Sequence, residues 1–401
     1  MLTSLSFIFL VGLAMGAICQ KLKLPRIIGM LATGIVLGPY VLDLLDPSIL
    51  SMSSDLRKMA LIIILLKAGL SLNLEDLKKV GRPAIMMAFV PATFELIGYL
   101  VFAPLILGIT RVEAAVMGSV LAAVSPAVVV PRMVQLMENK YGTEKAIPQM
   151  IMAGASCDDI FVIVLFTTFL SMAQGGSADI KAFVNIPISI ILGIILGAIV
   201  GYLLYLFFET AYAKKHYVRN SMKVIIVLGF SFLLIAIEGW LEGKIAVSGL
   251  LAVVSMACVL KMKCTSFVSK RLSEKFGKLW FAAEVILFVL VGAAVDIRYT
   301  LDAGLAAVAM IFAALIFRSF GVWLCTVKTS LTLKERAFCV IAYLPKATVQ
   351  AAIGSVPFAA GLPCGKIVLS VAVMAIIITA PLGAFGMDFT YKKFLHKESE
   401  R

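Results

Sequence analysis

About thirteen apolar segments, each long enough to cross a lipid bilayer, follow one another along this chain. The polar stretches between them are short, and none is long enough to form a separate soluble domain. Composition agrees, because 61% of the residues are apolar and only 15% are charged, whereas soluble domains carry about 25% charged residues. We therefore predict an all-α, polytopic membrane protein that forms a single transmembrane domain over residues 1–401. The predicted spans lie near 1–19, 25–43, 57–74, 83–108, 112–136, 146–172, 182–208, 221–241, 245–260, 277–297, 301–327, 335–357 and 365–388.

The formal net charge of +13 would suggest a nucleic-acid partner if the basic residues formed one patch. Of the 36 Lys and Arg residues, however, 26 fall in the odd-numbered loops and the C-terminal tail, seven in the even-numbered loops and three within spans. Loops rich in Lys and Arg stay on the cytoplasmic side of a membrane. We therefore expect a protein of a bacterial plasma membrane that contacts lipid and no nucleic acid. Its N-terminus is expected outside and its C-terminus in the cytoplasm.

Few charged residues remain inside the predicted spans. A charge at the bilayer centre costs about 2.5–3.5 kcal/mol on insertion scales, so each one calls for a partner, water or a function. Two of them, Lys67 and Glu284, fit no further pattern and receive no role. The full set is Lys67, Glu95, Asp158, Asp159, Glu284, Arg318 and Lys346.

Two predicted spans each contain a proline near their middle, Pro126 in "AAVSPAVVVP" and Pro345 in "AYLPKATVQAAIG", 219 residues apart. Two further spans have similar C-terminal sequences, "LLKAGLSLNL" and "VLVGAAVDI". Aligning Gly69 with Gly292 in them gives an offset of 223 residues. Because the paired spans are separated by an odd number of crossings, the two halves run through the membrane in opposite directions. This pattern predicts two inverted six-helix repeats joined by a linker helix. The repeats cover about residues 1–172 and 221–388, and the linker helix covers about 182–208.

The two mid-span prolines predict two broken helices that cross. Proline removes a backbone N–H and clashes with the preceding turn, so it interrupts a helix. The interrupted backbone leaves polar groups at membrane depth, which are tolerated only where protein or a watery cavity covers them. Lys346, directly after Pro345, is expected to neutralise the carbonyl ends at this crossing.

Four of the buried charges form two pairs along the sequence. Glu95 and Arg318 occupy equivalent repeat positions, 223 residues apart, and we expect them to form an ion pair. Asp158 and Asp159 lie side by side near the middle of the sixth span. Adjacent helical residues point about 100° apart, so one carboxylate is expected to face an ion path and the other a neighbouring helix. A buried carboxylate with backbone oxygens suits a small cation, and burial beside a like charge favours its protonated form.

One site of this kind can bind either a proton or a metal ion. An intramembrane aspartyl protease also needs two aspartates, but it needs them on different helices that face each other. Adjacent aspartates on one helix therefore indicate a transporter and not an enzyme, and no cofactor is expected.

Three motifs, "AVSPAVVVP", "ASCDDI" and "YLPKATVQAAIG", resemble those of the NHA group of sodium/proton antiporters, within the monovalent cation/proton antiporter superfamily. The stretch "LPRIIGMLATGIVLGP" is similar to the second-helix pattern of that superfamily, so the resemblance covers nearly the whole chain. It implies a homodimer that exchanges Na⁺ or Li⁺ for H⁺ by alternating access, moving a core domain against a dimerisation domain.

The resemblance also implies roles for single residues. Asp159 would be the main ion-binding carboxylate and Asp158 its partner, with Ser125 beside them. Electrogenic bacterial members carry a lysine where Arg318 falls in this chain. Because arginine does not release its proton in proteins, we favour electroneutral exchange. A K⁺/H⁺ antiporter and an electrogenic exchanger of one Na⁺ for two H⁺ remain the alternatives. The broken helices implied by the motifs are those around Ser125 with Pro126 and Pro345 with Lys346.

Overall fold

The protein is seen here in a computed structural model, which describes residues 1–71, 81–175, 180–215, 220–241, 247–297 and 304–397. Helices make up its regular structure, and the isolated β-bridge in these ranges joins Tyr141 to Lys397. The helices are α1 (Leu2–Lys21), α2 (Arg26–Leu37), α3 (Pro47–Ser51), α4 (Ser53–Ser71), α5 (Arg82–Met87), α6 (Val90–Leu107), α7 (Arg111–Leu121), α8 (Pro126–Glu138), α9 (Ile147–Ala173), α10 (Ile180–Lys215), α11 (Asn220–Leu241), α12 (Gly249–Lys263), α13 (Ser266–Ala293), α14 (Gly304–Cys325), α15 (Leu333–Ala342), α16 (Thr348–Ile353), α17 (Val356–Ala359) and α18 (Gly365–Phe394).

Within the described ranges, nine helical stretches are long and apolar enough to cross a membrane. The all-α, multi-pass architecture expected from the sequence is therefore confirmed. The total of about thirteen spans stays a prediction from hydropathy. The nine stretches are Leu2–Lys21, Arg82–Leu107, Arg111–Glu138, Ile147–Ala173, Ile191–Glu209, Ser221–Leu241, Ser266–Ala293, Gly304–Cys325 and Gly365–Phe394.

Two helices differ in length from the predicted spans. The predicted span 25–43 contains α2, a helix of only 12 residues, because Pro39 follows Gly38 and disfavours the helical conformation there. The predicted span 277–297 corresponds to α13, which begins earlier, at Ser266. Basic residues that the charge count assigned to a loop, such as Arg271 and Lys275, lie on its first turns. Lys and Arg are good helix formers, so the helix continues past the apolar stretch.

Both helices that contain a mid-span proline are interrupted beside it. The first ends as α7 at Leu121 and resumes as α8 at Pro126, where the missing N–H costs no helical hydrogen bond. The second ends as α15 at Ala342 and resumes as α16 at Thr348, so Pro345 lies in the non-helical segment between them. Non-helical backbone therefore occurs in two apolar segments of the chain.

Contacts divide the chain into two compact units. The first consists of the described parts of Met1–Ser54, Asn73–Gln174 and Val285–Arg401. In it, α2 and the end of α13 approach so closely that a side chain on Gly34 would meet the Val289 carbonyl. A side chain on Gly292 would likewise meet the Leu31 carbonyl. This unit holds both interrupted helices and the five charged groups described below, Glu95, Asp158, Asp159, Arg318 and Lys346.

The second unit consists of the described parts of Asp55–Leu72 and Gly175–Glu284. Three glycines of α10 pack against the backbone of α12, and small residues of this kind let two membrane helices approach closely. Lys67 Nζ lies 6.0 Å from the centre of the Trp280 ring in this unit. Lys67 and Glu284 still receive no role, and the repeat and linker boundaries remain predictions. The packed pairs are Gly193 with Ser248, Gly197 with Ala252 and Gly201 with Met256.

Candidate ion-binding site

The two helix interruptions contact each other directly. Residues 122–125 separate α7 from α8, and residues 343–347 separate α15 from α16. The Ser125 amide donates a hydrogen bond to the Pro345 carbonyl over 2.8 Å. A backbone N–H outside the helices therefore pairs with a backbone C=O outside the helices. Backbone polar groups within a bilayer need such internal hydrogen bonds.

Side chains satisfy further backbone groups of the first interruption. The Val124 amide donates to Oδ2 of Asp158 over 2.7 Å. The Ala122 carbonyl accepts a hydrogen bond from Nη1 of Arg318. Opposite ends of the backbone dipole are thus bound by an anionic and a cationic side chain, so charged residues and the broken helix stabilise each other.

Arg318, on α14, is fully buried and contacts two carboxylates. Its Nη1 lies 2.7 Å from Oε2 of Glu95, and its Nη2 lies 3.2 Å from Oδ2 of Asp158. Its Nε donates to the Tyr343 carbonyl over 2.6 Å, and its guanidinium lies 5.5 Å from the centre of the Tyr343 ring. The structure therefore brings together Glu95 and Arg318, which the repeat offset had paired, and adds Asp158 to them.

Lys346 lies beside Glu95 and not at the carbonyl ends where the sequence analysis placed it. Its Nζ is 2.5 Å from Oε2 of Glu95, the oxygen that also accepts from Arg318. The full charge of a carboxylate attracts an ammonium more strongly than the partial charge of a helix end. Arg318 binds the carbonyls instead, because a guanidinium carries five N–H donors and can serve carboxylates and carbonyls together.

The two aspartates of α9 are buried and only partly satisfied. Asp158 is 0% exposed and Asp159 is 5% exposed. Within the part of the chain that the structure describes, Oδ1 of each has no hydrogen-bond partner, and the buried Oγ of Ser125 has none either. A buried oxygen without a donor is costly, and it is open to a proton or a cation. Asp158 and Ser125 belong to the contacts around the interruption, and Asp159 is the next residue of α9.

The buried charged residues around the two interruptions form a cluster with one more negative than positive group. Glu95, Asp158 and Asp159 oppose Arg318 and Lys346, so the fully ionised cluster carries a formal charge of −1. Among the described residues, no group of three or more His, Cys, Asp or Glu is placed to hold a metal ion. One proton or one monovalent cation on the aspartates would neutralise the cluster.

Sequence reasoning missed Gln350, a fully buried residue of α16. Its Nε2 donates to the Ala123 carbonyl over 2.9 Å and its Oε1 accepts from the Ala347 amide over 2.8 Å. The sequence did contain a signal, because an uncharged amide stands inside the apolar run "ATVQAAIG". An uncharged amide costs less than a charge in an apolar segment, so it gives a weaker signal.

Comparison with known proteins matches residues 5–392 to the family model of transmembrane sodium/hydrogen exchangers. Sodium/hydrogen exchanger 9B2 of Xenopus tropicalis is 31% identical over 96% of this chain and 73% of its own length. Sodium/hydrogen exchanger 9B1 of Homo sapiens is 33% identical over 98% of this chain and 78% of its own length. The structure of the sodium proton antiporter MjNhaP1 from Methanocaldococcus jannaschii at pH 8 has the same fold, with a TM-score of 0.83, 20% identity and coverage of 98% of each chain. The chain therefore belongs to the family of transmembrane sodium/hydrogen exchangers.

Proposed function

We propose that this protein exchanges Na⁺ or Li⁺ for H⁺ across a bacterial plasma membrane by alternating access, with Asp158 and Asp159 forming a site that cation and proton share. Membership of the family makes the chain a multi-pass secondary transporter and not an enzyme. The observation that carries the proposal is the pair of buried Oδ1 atoms without hydrogen-bond partners, in a cluster with a formal charge of −1.

Asp159 is the main ligand in this proposal, and Asp158 is its oriented partner. Oδ2 of Asp158 is held by the Val124 amide and by Arg318, so its Oδ1 has a fixed direction. Oδ1 of Asp159 likewise has no hydrogen-bond partner among the described residues. A cation needs the ionised carboxylate and a proton removes that charge, so the two compete for one site. This competition couples the uptake of one ion to the release of the other.

The exchange is electroneutral in this proposal. A single positive charge, as Na⁺ or as H⁺, neutralises the cluster in each half of the cycle. Arg318 keeps its proton, since an arginine is effectively always charged in proteins. Lys346 is taken to stay charged and paired with Glu95 throughout the proposed cycle. The aspartates are then the groups that change protonation.

We also propose a thirteen-helix homodimer built from two inverted six-helix repeats, with a core domain that moves against a dimerisation domain. The two interruptions lie 219 residues apart, and Glu95 and Arg318 lie 223 residues apart. Similar offsets for two unrelated features support a duplicated unit. Labelling single cysteines from each side of the membrane tests the topology, which has the N-terminus outside.

Purified protein in sealed liposomes tests the transport proposal. An outward gradient of Na⁺ or Li⁺ should draw H⁺ into the liposomes and acidify the lumen, which a trapped pH-sensitive dye reports, and a K⁺ gradient should not. Asp159→Asn should abolish this signal, while Asp43→Asn, an exposed loop carboxylate with φ of 50°, should keep it. Asn tolerates that backbone conformation, so the control variant should fold normally. Equal exchange with K⁺ would favour the K⁺/H⁺ antiporter instead.

A further inference from the structure

Gln350 joins the two helix interruptions with one side chain. Its Nε2 donates to the carbonyl of Ala123, in the first interruption, and its Oε1 accepts from the amide of Ala347, in the second. A longer contact, 3.4 Å, connects Nε2 to the carbonyl of Leu121 at the end of α7. A neutral amide offers a donor and an acceptor in one plane, which neither a lysine nor an ionised carboxylate provides.

The carbonyl that Gln350 binds and the amide that Asp158 binds belong to the same peptide group. Ala123 supplies the C=O and Val124 supplies the N–H of that planar unit. In a trans peptide the oxygen and the hydrogen point in opposite directions, and the whole group turns as a rigid plane. A side chain that fixes the carbonyl therefore also fixes the direction of the N–H.

We propose that Gln350 is a positioning residue of the ion site, which holds the peptide between Ala123 and Val124 so that its N–H stays directed at Asp158. The inference rests on the proposed function of Asp158 and Asp159. Without Gln350 the peptide can rotate, and the N–H then leaves the carboxylate. Asp158 loses a donor that favours its ionised form, so a proton competes better with Na⁺.

Changing Gln350 to an apolar residue removes no titratable or charged group near Asp158. Such groups lie on α6, on α14, on the segment between α15 and α16, and on α9 itself. A change in proton competition on replacing Gln350 therefore reports on the peptide and not on an altered charge. These groups are Glu95, Arg318, Tyr343, Lys346, Cys157 and Asp159.

Gln350→Met tests the proposal, because methionine has a similar shape and no amide. The pH at half-maximal Na⁺-driven exchange in liposomes should move about one unit to higher pH, given the usual strength of a hydrogen bond to a charged group. Gln350→Leu should move it in the same direction, since leucine is also uncharged and cannot donate to the Ala123 carbonyl. Ser119→Ala is the matched control, because Ser119 is buried on α7 and, among the described residues, its Oγ bonds the local carbonyl of Val116.

A second readout separates this inference from the transport proposal. Na⁺ binding raises the unfolding temperature of the purified protein. The Na⁺ concentration that gives half of the maximal rise, measured across pH, should show the same shift in Gln350→Met. Wild-type protein that binds Na⁺ in competition with protons but does not exchange them would overturn the transport proposal alone. A folded Gln350→Met with the wild-type pH dependence in both assays would overturn the positioning role. Failure of both variants to fold would overturn it too, because Gln350 would then be a determinant of the fold.

Discussion

Nζ of Lys346 lies 2.5 Å from Oε2 of Glu95, although the two residues are 251 positions apart in the chain. The same oxygen accepts from Arg318, so one buried carboxylate serves two cations. Arg318 has Asp158 as a second carboxylate, whereas the ion pair recorded for Lys346 is the one with Glu95. Energetic coupling should therefore be strong between Glu95 and Lys346.

A double-mutant cycle tests that coupling. Glu95→Gln should destabilise the protein by about 3–5 kcal/mol, because it removes the partner of buried charges. Lys346→Met should cost less, since Glu95 keeps Arg318 as its partner. The double variant should be more stable than the sum of the single losses by about 0.5–3 kcal/mol. Thermal unfolding in detergent measures all three variants.

Arg132→Gln provides the control for this cycle. Arg132 pairs with Asp388, and neither residue contacts Glu95 in the ion pairs of the described chain. Combined with Glu95→Gln, it should give losses that add within about 0.5 kcal/mol. Additive losses for Glu95 and Lys346 as well would show that their contact carries no net energy.

The two aspartates should respond differently to removal of charge. Asp159→Asn should lower Na⁺-dependent proton exchange at least ~100-fold, given the cost of losing one charge from a buried site. Asp158→Asn should retain part of the activity, because an amide oxygen still accepts from the Val124 N–H. Exchange rates in liposomes decide, with gel filtration to verify folding. Wild-type activity in Asp159→Asn would remove it from the ion site.

The sequence predicted charges and interruptions better than it predicted contacts. A charge or a proline inside an apolar segment is visible because it is costly there, so Asp158, Arg318 and Pro126 could be found without a structure. Glu95 and Arg318 could even be paired, because a repeat offset is a property of the sequence. The partner of Lys346 could not, since it depends on which side chain the crossing brings within reach. Gln350 was missed for a different reason, since an uncharged amide costs less than a charge in an apolar segment and stands out less.

Gly154 lies one turn before Asp158 on α9, and the hydroxyl of Tyr343 occupies the space that a side chain there would need. That hydroxyl is buried without a hydrogen-bond partner. Gly154→Ala should therefore destabilise the protein by about 1–3 kcal/mol through overpacking. Adding Tyr343→Phe should restore part of the loss, because it deletes the nearest clashing atom, while Cβ of Met87 stays 2.8 Å from the added carbon. Unfolding temperatures of the single and double variants measure the effect.

Gly229→Ala is the reference substitution for that experiment. Gly229 lies within α11, and an added β carbon there would meet no atom within 4 Å. Alanine in an open helical position should stabilise the protein by about 0.5–1 kcal/mol relative to glycine. If Gly154→Ala behaves like Gly229→Ala, α9 can shift away from Tyr343, and the close packing beside the aspartates is not fixed.

The charge moved per transport cycle depends on which buried groups release a proton, and Arg318 decides between the two stoichiometries. An arginine at this position keeps its proton through the cycle. Arg318 forms one ion pair with Glu95 and a second with Asp158. In the proposed cycle one Na⁺ then replaces one H⁺, and no net charge crosses the membrane. An imposed potential, with the Na⁺ and pH gradients set to zero, should drive no net Na⁺ movement through the wild-type protein in liposomes. Arg318→Lys supplies a buried group that can release its proton, so transport by a folded Arg318→Lys should respond to the potential. Voltage-driven Na⁺ movement through the wild-type protein would instead establish exchange of two H⁺ for each Na⁺.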